Sequence, residues 1–178
     1  MRIAIAGPPG SGKTTVCGLV AQRMGYEAVL VGQLFRQLAT ERRVDLTVFG
    51  RMAEEDETID RELDKRMVAI ATTKQDVVLE GRLPGLLLKL QKVPVFSVYV
   101  DASELVRAKR IAGREHKPEE QVLNEIRMRE RSERKRYKAY YGIDTTDRSR
   151  YDLWLDSSEM TPERIADTIA AEARKSDA

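Results

Sequence analysis

With 178 residues, the chain is long enough for one compact domain with its own core and short for two. Its 31 Lys and Arg against 29 Asp and Glu leave a formal charge of +2, which excludes a polycation built to coat nucleic acid or an acidic membrane. A 42% hydrophobic fraction with 11 Gly and 6 Pro excludes the disordered and collagenous classes, while one Cys and one His exclude an internal disulfide, a multi-cysteine metal cluster and a His-pair zinc site.

Short apolar runs alternate with longer helical stretches, the pattern of an α/β fold with a parallel sheet. Arg2 to Ala6 predicts a strand ending at Gly7, and Lys13 to Met24 a helix closed by Gly25. A second strand is expected over Glu27 to Val31, then a helix from Gln33 to Arg42 and a polar helical region to Thr73 in which no strand fits. Asp76 to Leu79 and Pro94 to Val100 are unbroken Val, Leu and Phe runs, as central strands buried on both faces require. Helices are expected from Ser103 to Glu115 and from Pro118 to Tyr141, then a strand over Asp152 to Leu155 and a last helix opening at Thr161-Pro162. No repeat or linker divides the chain. The amino terminus lacks the apolar stretch of a signal peptide and no apolar run approaches ~20 residues, so a soluble cytoplasmic protein is expected.

Gly7-Pro8-Pro9-Gly10-Ser11-Gly12-Lys13-Thr14 fits the phosphate-loop pattern G-x-x-x-x-G-K-[ST] at every required position, between a predicted strand and a predicted helix. Its glycines let successive N–H groups curl round a phosphate at the positive end of the helix. Lys13 then reaches the β- and γ-phosphates, the Thr14 hydroxyl is placed for Mg²⁺, and Thr15 adds an α-phosphate contact. Cys17, one turn past Lys13, reads as a small packing residue. A guanine-specific switch protein needs N-K-x-D, and the lone Asn124 is followed by Glu125; a small phosphotransferase remains.

Other charged residues group around that loop. Leu79-Glu80-Gly81-Arg82 ends the third strand, where a parallel sheet presents residues to a ligand. Glu80 is assigned to a water of the Mg²⁺ shell and Arg82 to the attacking phosphate. Arg36, one turn into its helix, either faces a second nucleotide or is solvated. Arg107, Arg110 and Arg114 recur at helical spacing; Arg107 is assigned to a surface pair with Glu104, and Asp101 to capping that helix. From Arg127 to Lys138 seven basic residues meet two acidic ones, and Arg129, Ser132, Glu133 and Arg136 project from one face. That face binds one ligand, with Glu133 in hydrogen-bonding company of Arg129 and Arg136; Arg127, Arg131, Arg134 and Lys138 are solvated. A nucleic-acid patch is the rival account of this run.

Taken with Gly32-x-x-Phe35-Arg36, Ala53-Glu54-Glu55-Asp56, Ile59 to Asp64 and Arg136-Tyr137-Lys138-x-Tyr140-Tyr141-Gly142-Ile143-Asp144, the phosphate loop and Glu80-Gly81-Arg82 resemble the archaeal-type cytidylate kinases over nearly the whole chain. The resemblance implies the adenylate-kinase-like P-loop fold, a five-stranded parallel sheet with an acceptor-binding region over about 32–75 and a short lid over about 112–125. It implies transfer of the γ-phosphate of ATP to CMP or dCMP with Mg²⁺; a monomer with no nucleic-acid or membrane partner is the expectation beside it. Lys13, Arg82, Arg129 and Arg136 are then catalytic, Arg110 and Arg114 join residues 7–15 on ATP, and Arg36, Arg82, Glu133 and Arg136 hold the acceptor. Thr14 holds the metal directly and Glu80 through water. Asp56, Asp60 and Asp64 share a helix face that either borders the acceptor or pairs with Arg61 and Lys65. The alternatives are a monophosphate kinase of other base preference and a nucleic-acid-associated ATPase.

Overall fold

A computed structural model describes residues 1–177, in which β1 (Arg2–Ala6), β2 (Glu27–Leu30), β3 (Val77–Gly81), β4 (Phe96–Asp101) and β5 (Leu153–Asp156) form one wholly parallel sheet ordered β2-β3-β1-β4-β5. β1 lies at the centre, and its neighbours β3 and β4 are buried on both faces, as their unbroken apolar runs require. Ala6 pairs with Gly81 on one side and Tyr99 on the other. Register therefore sets Gly7 beside Arg82, before any side-chain contact is made.

Alternation along β1 divides the core. Ile3 and Ile5 pack with Val98 and Val100 of β4 against α1 (Lys13–Met24) and α8 (Pro162–Asp177). Ala4, Leu79 and Tyr99 face the opposite side, against α4 (Glu57–Thr73) and α5 (Pro84–Leu90). The polar stretch between β2 and β3 holds three helices, α2 (Val31–Glu41), α3 (Leu46–Glu55) and α4, and no strand. Leu38, Ala39, Phe49, Ala53 and Ile59 give these helices a small core of their own. A further cluster of Ala108, Ile111, Ala112, Val122 and Ile126 holds α6 (Glu104–Glu115) to α7 (Glu119–Tyr141).

Element ends agree with the sequence pattern to within a residue or two. α5 was not foreseen: Pro84 starts it, and successive Leu86, Leu87 and Leu88 are all buried, so seven residues show no amphipathic period. The cap of α6 also differs. Ser103 Oγ accepts from Val106 N at 3.4 Å, whereas the carboxylate of Asp101, the last residue of β4, accepts from the adjacent Ala102 N. No helix among the described residues is long and apolar enough to cross a membrane.

Candidate active site

The phosphate loop fills the turn between β1 and α1, and close approach requires two of its glycines, Gly7 and Gly10. A Cβ on Gly7 would lie 2.2 Å from Val100 O, and one on Gly10, at φ +80°, would lie 2.8 Å from Arg107 O. Cys17 packs beneath the loop, fully buried, its Sγ 3.8 Å from Val78 O and its pKa pushed up by burial to about 12. That is an inert thiol.

Lys13 is buried, donates to Pro8 O at 3.1 Å and lies 3.7 Å from Glu80 Oε1. Burial first, then the Arg82 guanidinium, lower its pKa to about 7 despite Glu80 and Glu133. Arg82 Nη1 donates to Gly7 O at 2.8 Å, and its Nε sits 2.9 Å from Glu133 Oε2, a charge contact whose N–H is not aligned as a hydrogen bond. Burial alone would depress Arg82, yet Glu133 and its neighbours raise it above the usual guanidinium value. Glu133 accepts from Arg129 Nε at 2.9 Å with its other oxygen, Oε1; burial opposes its ionisation, and the two arginines outweigh burial and hold its carboxyl below the usual range.

A row of charges thus leads from the loop to α7. Arg36, by contrast, is exposed on α2. Arg110 spans Ser157 and the loop: it donates to Ser157 O at 2.6 Å and Ser157 Oγ at 3.0 Å, with Gly10 O 3.4 Å away. Ser157 Oγ in turn donates to Ser11 O at 2.8 Å. A cavity of about 380 Å³ opens beside these groups, lined by Gly12, Lys13, Thr14, Arg82, Arg114 and Arg129 among others. Arg114 and Arg129 are the exposed cations on its rim.

Several assignments made from spacing are corrected by the structure. Arg107 is no surface residue paired to Glu104; it is 5% exposed and its guanidinium donates to Ala102 O, Pro9 O and Glu130 Oε1. Helical spacing cannot show that β4 and the phosphate loop cover that side of α6. Glu104 instead takes the exposed Arg127. Arg136 makes no pair with Glu133: its Nη1 donates to Ala53 O at 3.0 Å and lies 3.2 Å from Asp60 Oδ2. The acidic face of α4 is correspondingly not paired to Arg61 and Lys65. Asp56 caps the helix, Asp60 meets Arg136, and Asp64 Oδ2 accepts from Tyr141 OH at 2.6 Å, whereas Arg61 pairs with Glu57. Ser157, Glu130 and Tyr141 were missed; each acts through a partner distant in sequence and carries no local signal.

Burial, resisted by the Tyr141 hydrogen bond and reinforced by Asp60, raises the pKa of Asp64 from 3.8 to about 6. Between those values the folded state binds more protons than the unfolded one, so this group's contribution to stability falls as pH rises through about 6. Asp64→Asn removes the buried charge and keeps an acceptor for Tyr141. It is expected to stabilise the protein by about 2 kcal/mol above pH 7, with the gain fading toward pH 4. Thermal melts across that range check this, and a gain that grows on acidification contradicts it.

No group of three His, Cys, Asp or Glu among the described residues could hold a metal. The donors that remain suit Mg²⁺ arriving with a nucleotide: the exposed Thr14 hydroxyl at the start of α1 and the Glu80 carboxylate beside Lys13 leave most coordination positions to phosphate and water.

The fold recurs in a shikimate kinase from Acinetobacter baumannii, with a TM-score of 0.63, 19% identity and coverage of 98% of this chain and 93% of that one. A protein named cytidylate kinase from Halorubrum lacusprofundi is 44% identical over 171 residues, 96% of this chain and 88% of its own length. Another of that name from Natronomonas pharaonis is 44% identical over 165 residues, 93% and 85%. Residues 2–159 match the model of the cytidylate kinase-like family, which takes in the phosphate loop, Arg82, the α6–α7 pair and Ser157. With that match, and with relatives of this identity along almost its whole length, the chain belongs to the cytidylate kinase-like family.

Proposed function

We propose that the protein transfers the γ-phosphoryl group of ATP to CMP or dCMP. The observation that carries this reading, beside the family, is Arg82: hydrogen-bonded to Gly7 O and lining the same cavity as Lys13, it supplies a second phosphate-binding cation next to the loop. A cation at that position can hold an acceptor phosphate against the transferring group. An attacking phosphate oxygen is already ionised near neutral pH, so no general base is needed, and the near-absence of histidine fits.

The residues divide the work. The loop amides and Lys13 hold the β- and γ-phosphates, with Thr15 on the α-phosphate. Thr14 and Glu80, the latter through water, would hold Mg²⁺, which supplies charge neutralisation on the transferring oxygens. Arg110 does not line the cavity; its contacts with Ser157 O and Gly10 O, beside the loop, support its assignment to ATP, and Arg114 and Arg129 stand on the cavity rim for charge that develops during transfer. Arg36 and Arg82 take the acceptor phosphate. The separate small core of α2–α4 supports an acceptor-binding region over about 32–75, and the α6–α7 cluster supports a short lid over about 112–125. Closure of the lid excludes water that would otherwise divert ATP to hydrolysis.

The reading as a nucleic-acid-associated ATPase is weakened by the basic run, three of whose seven cations, Arg127, Arg129 and Arg136, face protein carboxylates. An acceptor screen with ATP and Mg²⁺ over CMP, dCMP, UMP, AMP and GMP is the test. CMP or dCMP is expected to give the highest kcat/KM. Preference for AMP, or RNA affinity that falls steeply with salt and no monophosphate transfer, counts against it.

A further inference from the structure

Pro8 and Pro9 remove two N–H donors from the phosphate loop, so its phosphate-binding amides must come from the residues that follow. Five successive loop carbonyls, those of residues 7–11, each lie within hydrogen-bond reach of a side chain: Arg82, Lys13, Arg107, Arg110 and Ser157 in that order. In a trans peptide the carbonyl and the next residue's N–H point in opposite directions, so a pinned carbonyl fixes where that N–H aims. Behind Gly7 O and Pro8 O stand the proline nitrogens, which carry no hydrogen. Behind Gly10 O stands the Ser11 N–H, which already donates to Pro8 O at 3.3 Å. Pro9 O and Ser11 O remain. Arg107 Nη1 holds the first at 3.2 Å and Ser157 Oγ the second at 2.8 Å, and the amides behind them are those of Gly10 and Gly12.

Those two N–H groups have no acceptor among the described residues, and both glycines line the cavity that Lys13 and Thr14 share. With φ of +80° and +85° and no side chain, Gly10 and Gly12 have little of their own to hold them in place. The side chains behind them are firmly held. Arg107 is buried, its Nε donating to Ala102 O at 3.0 Å and its Nη1 also donating to Glu130 of α7, so the guanidinium plane is fixed from two sides. Ser157 is buried as well; its N donates to Asp101 O at 2.8 Å and its Oγ accepts from Arg110 Nη1 at 3.0 Å. Neither Arg107 nor Ser157 lines the cavity, so an effect of either on a phosphate passes through the loop backbone.

We propose that Arg107 and Ser157 are positioning residues for nucleotide phosphate: by pinning Pro9 O and Ser11 O outward they aim the Gly10 and Gly12 N–H groups into the cavity before a nucleotide arrives. This inference rests on the ATP-binding part of the kinase reading above. Donors fixed in advance spare the nucleotide the cost of ordering two glycine peptides, which appears as affinity. Glu130 extends the brace to α7, so the α6–α7 pair carries one of the two pins.

The test measures Kd for ATP and for CMP, by calorimetry, in the wild type, Arg107→Lys and Ser157→Ala. Lysine ends in one compact ammonium and cannot serve Pro9 O, Ala102 O and Glu130 together; alanine leaves Ser11 O without its donor while the Ser157 backbone O still holds Arg110. Each variant is expected to weaken ATP roughly tenfold to a hundredfold, the worth of one hydrogen bond to a charged group, and to leave CMP affinity unchanged. A purely structural role would lower the melting temperature and leave the ratio of ATP to CMP affinity in the folded protein unchanged; that result overturns the inference. The amide spectrum of ¹⁵N-labelled protein tests it with no variant. In the wild type the Gly10 and Gly12 protons are expected to move downfield on saturation with ADP and Mg²⁺, and in Arg107→Lys the Gly10 shift should shrink while that of Gly12 is kept. Gly10 and Gly12 resonances that stay in place in the ADP-bound wild type overturn the inference alone. A wild type that binds neither ATP nor ADP overturns the nucleotide reading and this inference with it.

Discussion

Lys13→Met is expected to lower phosphoryl transfer by at least a factor on the order of 10²–10³, the usual effect of removing one charge-stabilising donor from a preorganised site. The same change should make the nucleotide-free protein more stable. Lys13 titrates near 7 in the fold, chiefly because it is buried and secondly because Arg82 is close, against 10.5 as its ordinary value. Between those pH values the unfolded chain binds more protons, so the wild type gains stability as pH rises from about 7 to about 10. Up to about 4 kcal/mol of destabilisation at and below pH 7 belongs to this ammonium, less whatever Glu80 loses when its cation is removed. Met should therefore raise the melting temperature by several degrees near neutral pH and progressively less toward pH 10. Bound phosphates make the charged lysine favourable again, so ATP binding at pH 8 should take up a proton, read as a calorimetric heat that depends on the buffer. A Lys13→Met protein that is less stable at pH 7 would show that the ammonium is held by its partners more strongly than burial opposes it.

Local features of this protein were legible in its sequence wherever one segment carries its own physics. The strand–loop–helix at Arg2 to Met24 is fixed by an apolar run, a glycine pattern and a helix opening at Lys13, all within reach of one another. Contacts across the fold were not. Arg107 and Arg110 share a helix face by spacing, yet one is buried against Pro9 O and Glu130 and the other is exposed over Ser157; only the placement of α6 beside the loop decides which is which. Arg136 and Glu133 likewise share a face of α7, but α4 brings Asp60 closer to one and the β1–β3 register brings Arg82 closer to the other. Helical periodicity gives the side of the helix. The partner on that side comes from the sheet order, which no window of sequence contains.

Arg82→Lys separates charge from shape at the junction between the two proposed nucleotide sites. The guanidinium now serves Gly7 O through Nη1 and Glu133 through Nε, two directions at once from one rigid plane. A lysine keeps the positive charge but ends in a single compact ammonium, so it can satisfy Gly7 O or Glu133 and cannot hold a phosphate through two parallel hydrogen bonds. Loss of one such bond predicts a stability change of only about 1–3 kcal/mol. Turnover should suffer far more, by a factor on the order of 10²–10³ in kcat, because misplacing a cation that bridges the reacting groups is felt in the transition state. KM for ATP should move little, since Lys13 and the loop amides remain. Arg82→Met is the contrasting variant: Glu133, 9% exposed, keeps only Arg129, and leaving a buried carboxylate so weakly paired costs about 3–5 kcal/mol. Steady-state kinetics with ATP and CMP, beside thermal melts, separate the cases. If Arg82 only props the phosphate loop through Gly7 O, Lys and Met lower kcat in proportion to the stability they lose and both raise KM for ATP. If it holds the acceptor phosphate, Lys abolishes most turnover in a protein that still melts near the wild-type temperature and still binds ATP.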